Sequence, residues 1–451
     1  MNLKKSITWA VTGLFIFASA LQAEEIKGDK TAGKTDARRL AKSGMADDGP
    51  TSTFFNINSW KIQMEHQGFF QWNGTSHGSA GNYPKGMGSV IFAEGILWGV
   101  KASDKYGVDA TTGEILTDGS GSGDPRVRVN GSMYNTGLKA GKVLRDANGV
   151  IKTKDYSENY RDQQIWRVRK DWNTGDLTVD ASILRDISVA DVTEAMITAD
   201  KAQYEKDWNN WPASEGAPYD DVNGDGAYTP GTWSSETNAW VGDVPGIPGA
   251  DQTIWTVAND LPDEYAEGGV VSVSEGGWGS PPVGFEMQLT LWGYDFPFSN
   301  PISSMMFKRA RMIYTGLPGG PADAKLDTVY FTQWSDPDLG TYTDDYVGAD
   351  TSLSLGYVYN GNTYDDQFLS SFGSPVPAGG YDFLEGPKVD VNGDGVLDTL
   401  GMTSFVYFAA GSSVSDPSTR VYSGTLQWFN LMEGYLPVSY THLTLPTKRI
   451  V

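Results

Sequence analysis

The chain has 451 residues, no cysteine, and 56 acidic against 34 basic side chains, for a formal net charge of −22. With no cysteine there is no disulfide framework and no thiol to act as nucleophile or metal ligand. So acidic a surface repels nucleic acid and anionic lipid and attracts divalent cations, so nucleic-acid partners are not expected.

Met1 to Ala23 carries Lys4 and Lys5, then an apolar run from Ile7 to Ala20, then Leu21-Gln22-Ala23. That order predicts a secretory signal peptide over 1–23, and with it a secreted or cell-surface location. Its apolar run is too short to span a bilayer. No later stretch approaches about 18 uninterrupted apolar residues, so no transmembrane segment is expected. Residues 24–53 are rich in Lys, Ala, Gly and Asp with almost no large apolar side chain, which predicts a flexible leader.

A first β domain is expected over 54–190. From Trp60 to Gln67 the side chains alternate, with Trp60, Ile62, Met64 and His66 on one face, as in a half-buried strand. Val90 to Val100 and Gln164 to Trp172 read similarly, and turn-forming stretches separate them, including GSGSG from Gly119 to Gly123. Gly74-Thr75-Ser76-His77-Gly78 matches the G-x-S-x-G nucleophile elbow, but that motif needs a helix after the serine and a later histidine. GSAGNYPKG follows it, and the only later histidine is His442. A serine hydrolase is therefore not expected.

Residues 191–275 are expected to form an insertion containing one short helix and a calcium loop. Asp191 with Glu194 resembles a capping box, Ile197, Tyr204, Trp208 and Trp211 share a stripe, and Pro212 ends the run. Trp208, Trp211, Trp233 and Trp240 are the first rings to look for at the surface if the protein stacks against sugar faces, although a large β core without disulfides needs bulky aromatic residues in any case, and that is the stronger reading. The loop is DDVNGDGAYTPG, Asp220 to Gly231, and a near-copy, VDVNGDGVLD, spans Val389 to Asp398.

Both loops place oxygen-bearing side chains at alternate positions with a glycine at the sixth, the spacing by which one tight turn surrounds a hard cation. Asp221, Asn223, Asp225 and the Ala227 carbonyl are the candidate ligands in the first loop. Asp390, Asn392, Asp394, the Val396 carbonyl and Asp398 are those in the second. The twelfth place holds Thr232 or Gly401 instead of a bidentate acid, so neither is a complete EF-hand. The expected cofactor is calcium, bound weakly as a structural brace.

A second β domain is expected over 276–437, with strands at Phe285 to Trp292, Phe307 to Tyr314, Thr328 to Trp334, Leu353 to Tyr359, Ser404 to Phe408 and Leu426 to Leu431. Within it, WSDPDLGTYTDDYVGAD offers Asp336, Asp338, Asp344, Asp345 and Asp350 as a further acidic group, a solvated loop or another ion site. The predicted class is thus mainly β: β-sandwich-like sheets with long loops, one short helix and calcium-binding loops.

Val438 to Thr447, VSYTHLTLPT, resembles one translated frame of a transposon adapter used in preparing sequencing libraries. Residues 438–451 are accordingly read as an artefact, and the natural protein is expected to continue past Pro437. The segments DDVNGDGAYTPG, VPGIPGADQTIWTVANDL, GSPPVGFEMQLTLWGYD, QWSDPDLGTYTDDYVGADTSLSLGYVYNG and LGMTSFVYF together resemble the N-terminal region of large exported bacterial proteins, often cargo of the type IX secretion system. That resemblance implies further β modules and a sorting domain, and it supplies no catalytic residues. The expected function is a secreted or cell-surface, calcium-stabilised β protein, a structural or binding module of a larger polypeptide, with glycans or other surface proteins as partners. The alternative is a secreted polysaccharide-active hydrolase using a carboxylate pair.

Overall fold

Runs in which β-branched and aromatic residues recur at every second position become strands when one face can be buried. The computed structural model describes residues 10–11, 15–18, 50–70, 80–102, 107–108, 115–116, 127–134, 136–145, 148–149, 151, 164–261, 280, 282–317, 325–373, 375–408, 415–419 and 421–436. Among these the chain is mainly β, in several largely antiparallel sheets with four α-helices, and no sheet closes into a barrel. No helix among them is long and apolar enough to cross a membrane.

In chain order the elements that place the sites are β1 (Lys61–Glu65), β2 (Ala93–Ala102), β3 (Val127–Gly131) and β4 (Trp166–Arg169), then the helices α1 (Thr178–Arg185) and α2 (Glu194–Asn209). There follow β5 (Gln252–Asn259), β6 (Phe285–Gly293), β7 (Phe307–Tyr314), β8 (Leu326–Asp336), β9 (Asp345–Asp350) and β10 (Leu355–Asn360). The last are α3 (Asp366–Phe372), β11 (Gly379–Asp382), β12 (Val406–Phe408) and α4 (Tyr422–Met432).

One sheet runs β7, β6, β5, with β4 also on β5; another runs β3, β2, β8, and all these pairs are antiparallel. Of the expected signal peptide, Ala10–Val11 and Phe15–Ala18 are described: the first pairs with β7, and the second lies parallel between β8 and β12. The expected division near Gly276 falls among residues outside the described set. The strands on either side of it, β5 and β6, pair along eight residues, and β2 pairs with β8 along ten.

The two sheets share one core, because the inward residues Leu289, Leu291 and Met312 of the first belong to the same buried cluster as Trp98, Val100 and Phe331 of the second. Trp98 meets Phe285 edge-to-face at 5.9 Å, a favoured geometry for aromatic quadrupoles. At the same place Asp260, 2 % exposed, accepts the N–H groups of Val283, Gly284 and Phe285 and the Trp98 indole. That carboxylate fastens the segment entering β6 to the opposite sheet.

The strand expected at Leu426 to Leu431 is a helix, α4. Thr425, Trp428, Phe429 and Met432 recur at i, i+3, i+4 and i+7 and are buried, so the period is helical. α4 lies so close to β2 that a Cβ at Gly99 would stand 2.5 Å from the Met432 sulfur. α1 and α3 are additional to the single helix expected. In α2 the cap is Thr193, whose hydroxyl accepts the Met196 N–H at 3.4 Å, two residues beyond the predicted Asp191.

α1 and α2 are held on β4 by a buried ion pair. Asp180, 2 % exposed, takes Arg167 Nη1 at 3.2 Å, the Tyr204 hydroxyl at 2.9 Å and Asn56 Nδ2 at 2.8 Å. Burial opposes its ionisation, but the Arg167 guanidinium outweighs this and holds the Asp180 carboxyl well below the usual carboxylate range. Asp207, on the same helix as Tyr204, accepts the Arg167 backbone N–H and Gln203 Nε2, and burial pushes it up to about 7.

Asp180→Ala, which strands Arg167 in the core, should cost about 3–5 kcal/mol in a denaturant titration. A loss indistinguishable from that of an exposed Asp→Ala control would show the pair to be unimportant. Asp207 is raised on folding, so the stability it contributes is complete below the ordinary carboxylate value of about 3.9 and is lost as pH rises through about 7. Wild-type stability should therefore fall relative to Asp207→Asn between about pH 4 and about pH 7; parallel pH profiles would contradict this.

Candidate metal-binding loops and an aromatic cleft

Short acidic side chains separated by glycines fold back on their own backbone, and both NGDG stretches do so with the same pattern. In the first loop Asp221 Oδ1 accepts the Gly224 N–H at 2.8 Å, and Oδ2 accepts the Gly226 N–H at 2.8 Å. Asn223 Oδ1 accepts the Asp225 N–H at 2.9 Å, and Asp225 Oδ1 accepts the Ala227 N–H at 2.8 Å. In the second loop Asp390 accepts Gly393 at 2.7 Å and Gly395 at 3.0 Å, Asn392 accepts Asp394 at 3.1 Å, and Asp394 accepts Val396 at 2.8 Å. Gly224 and Gly226, like Gly393 and Gly395, have φ between 71° and 84°, which only glycine adopts freely.

The structure thus brings Asp221, Asn223 and Asp225 together, and likewise Asp390, Asn392 and Asp394. Ala227 and Val396 enter through their N–H groups; no contact of either carbonyl is seen. Asp398 turns to the neck of its loop, where Oδ2 accepts the Val391 N–H at 3.4 Å and the residue pairs with Val389. Among the described residues none of these aspartates is ion-paired with Lys or Arg.

The donors are all oxygens, the chemistry a hard cation prefers. No group of three or more acidic or histidine side chains among the described residues is arranged to hold an ion. Each loop offers two carboxylates and one amide at its head, so the remaining ligands of an ion would be backbone and water oxygens.

Sequence reasoning missed Asp243. It is 1 % exposed and grips the first loop at both ends, Oδ1 accepting the Val222 N–H at 3.0 Å and Oδ2 the Thr229 N–H at 2.7 Å. It precedes the short strand Val244–Pro245, which pairs with Tyr219–Asp220 and so brings the carboxylate back to the loop. The tryptophans near this loop require a correction. Trp208 and Trp211 are buried, and Trp240 stacks on Trp208 at 4.0 Å with Trp233 edge-on to it at 5.4 Å. They pack α2 and the loop against β4 and β5, because the stripe on α2 faces the sheet.

The acidic group of 336–350 divides. Asp350 caps its own turn through Ser352, and Asp345 Oδ2 accepts the Leu339 N–H at 2.9 Å. Asp336 ends β8 and is 1 % exposed; burial, then the neighbouring charge of Asp338, pushes its carboxyl well above the usual range, although the Tyr134 hydroxyl opposes this. Burial alone brings Asp338 up to about 6, and burial followed by nearby acids brings Asp345 to about 7.

A cleft of about 590 Å³ opens between β7, β8 and β11, within the range of small-ligand sites. Its rings are Trp60, Tyr83, Trp292, Phe307 and Tyr381. Glu94, 2 % exposed, is its buried carboxylate, bound to Lys308 Nζ at 2.8 Å and to the Tyr381 hydroxyl at 2.5 Å. Tyr83 and Trp60 are likewise committed, to Ser304 Oγ at 2.6 Å and the Ser304 carbonyl at 2.9 Å. The G-x-S-x-G stretch at 74–78 and the tail at 438–451 lie outside the described residues.

Comparisons with protein-family models, with curated proteins and with solved structures found no match to this chain.

Removing the Asp243 carboxylate should free the first loop at both ends. Asp243→Ala is expected to cost about 1–3 kcal/mol per stranded N–H and to open residues 221–231 to limited proteolysis. An unchanged cleavage pattern would show that the loop holds itself.

Proposed function

We propose that this chain is a secreted or cell-surface β protein, braced by calcium, that serves as a structural or binding module of a larger polypeptide. The observation that carries this reading is the repeated hydrogen-bond pattern of the two NGDG loops. Two stretches about 170 residues apart use the same aspartate and asparagine positions, with the same four backbone donors, to hold a head of oxygens that forms no ion pair among the described residues. Asp221, Asn223, Asp225 and the Ala227 carbonyl would hold one ion. Asp390, Asn392, Asp394 and the Val396 carbonyl would hold the other, with Asp398 steadying the neck. Bound calcium supplies positive charge that crosslinks each turn, the role a disulfide fills in many exported proteins.

The cleft is the natural place for the binding part of this reading. Glu94, Lys308, Tyr381, Tyr83, Trp60 and Ser304 already satisfy one another there, so the aromatic faces are the part suited to a glycan's apolar face or a surface protein's apolar side chains. The polysaccharide-hydrolase alternative draws on Glu94 standing in the same cleft beside tryptophan. It is the weaker reading, because Glu94 is held by a cation and a hydroxyl, and Glu385, also on the cleft, is paired with Lys388.

The test is thermal unfolding of the mature chain in millimolar calcium and in chelator. At ten times its dissociation constant each ion adds about 1.4 kcal/mol, so the midpoint should rise by a few degrees. Asp390→Ala with Asp394→Ala, and Asp221→Ala with Asp225→Ala, should each remove part of the rise. A midpoint indifferent to chelation, or a full rise with both loops substituted, would overturn the braces.

A further inference from the structure

We propose that the cleft beside β7 takes a sugar carboxylate, a uronate within an otherwise neutral glycan, with the Arg309 guanidinium as its anion partner and the Trp292–Phe307 pair against its ring. This rests on the reading of the cleft as the binding part of the molecule and adds which kind of glycan it selects.

An unmatched cation stands in the cleft. Arg309 lines it, is half-buried, and forms no hydrogen bond or ion pair with any described residue. Other buried or half-buried cations are matched: Arg167 sits on Asp180, Arg169 on Asp171 and Lys308 on Glu94. The acids of the cleft do not fill the gap. Glu94 is held by Lys308 and the Tyr381 hydroxyl, Glu385 is ion-paired with Lys388, and Asp382 is exposed. Burial, then the charge of Arg311, lowers the pKa of Arg309, and Glu385 opposes this. An occupant that fills the cleft strips the remaining water from the guanidinium, and a desolvated charge left unpaired is costly. The occupant that fits therefore brings its own anion.

Strand register fixes where that anion lies. Trp292 faces Phe307 across the β6–β7 ladder, and the two rings stack at 5.6 Å with 20° between their planes. Arg309 follows Phe307 by two residues, so it emerges on the same face of β7, about 7 Å along the strand. Arg311 shares that face; its Nη1 donates to Gln288 Oε1 at 3.3 Å, and it too forms no ion pair among the described residues. An apolar platform and a planar fork are thus held at a fixed spacing on one strand. A uronate meets both with a single rigid unit: its carboxylate is bonded directly to the ring whose C–H face rests on aromatic side chains, and it accepts two parallel N–H groups from a guanidinium. An acidic peptide carries its carboxylates on flexible side chains without a stacking face, so more freedom is lost when it binds. The net charge of −22 repels a dense polyanion, which favours carboxylates spaced along a neutral glycan.

An array of oligosaccharides bearing single glucuronate, galacturonate or mannuronate residues, each beside its carboxyl-reduced counterpart, tests this on the full chain, with affinities then measured by calorimetry. At least one uronate should bind at least about tenfold tighter than its reduced form, the effect of one charge-assisted contact. Arg309→Gln should erase that difference and leave the affinity for the reduced sugar unchanged. Arg309→Lys, which keeps the charge but not the fork, should retain part of it. Trp292→Ala should weaken both sugars alike, with circular dichroism unchanged. Equal binding of a uronate and its reduced form, or a preference that survives Arg309→Gln, would overturn the carboxylate assignment and leave the cleft a glycan site. Capture of acidic peptides with no sugar bound would overturn it in favour of a protein partner, and binding of neither would remove the cleft from the proposed function as well.

Discussion

The antiparallel ladder between β2 and β8 is the constraint on which the rest of the molecule depends. It joins Ala93–Ala102 to Leu326–Asp336, two stretches more than 200 residues apart, and puts Trp98 and Phe331 into the core shared with the other sheet. One end of this ladder carries Glu94 and Asp336, and these two acids define the cleft and the acidic cluster respectively. Gly99 on β2 lets α4 approach closely enough to seal the outer face. Cleft, acid cluster and terminal helix are therefore set by one register.

Charge is distributed unevenly over this frame. Where a cation is available it is spent internally: Arg167 on Asp180, Lys308 on Glu94, Arg185 on Asp200. With 56 acids against 34 bases, the carboxylates outnumber the protein's own cations. Those at the two NGDG loops are turned outward on tight backbone scaffolds, whereas those at the end of β8 are turned inward. The first arrangement is the basis of the proposed calcium braces, and the second leaves polar oxygens buried at a cost in free energy.

Much of the β-structure was legible in the residues. Phe307 to Tyr314 and Phe285 to Trp292 are strands almost as read. What failed has physical causes. Leu426 to Leu431 is a short apolar run, for which period alone cannot separate strand from helix until its long-range packing is known. Trp208 and Trp211 resembled a ligand platform because aromatic content is the same whether a ring faces solvent or a sheet. Asp243 and Glu94 carry no local pattern: Asp243 reaches its loop through the pairing of Val244–Pro245 with Tyr219–Asp220, and Glu94 reaches Lys308 and Tyr381 through pairings remote in sequence.

The β2–β8 pairing also has a consequence for how the molecule is made. Its outer sheet lacks a central partner strand until residues beyond 326 are present, so most of the polypeptide has to be synthesised before that sheet can form. Pairings so distant close slowly, since the entropy of a long loop is lost before any contact rewards it. The nascent chain therefore passes much of its early life with strand edges open, a state in which self-association competes with folding.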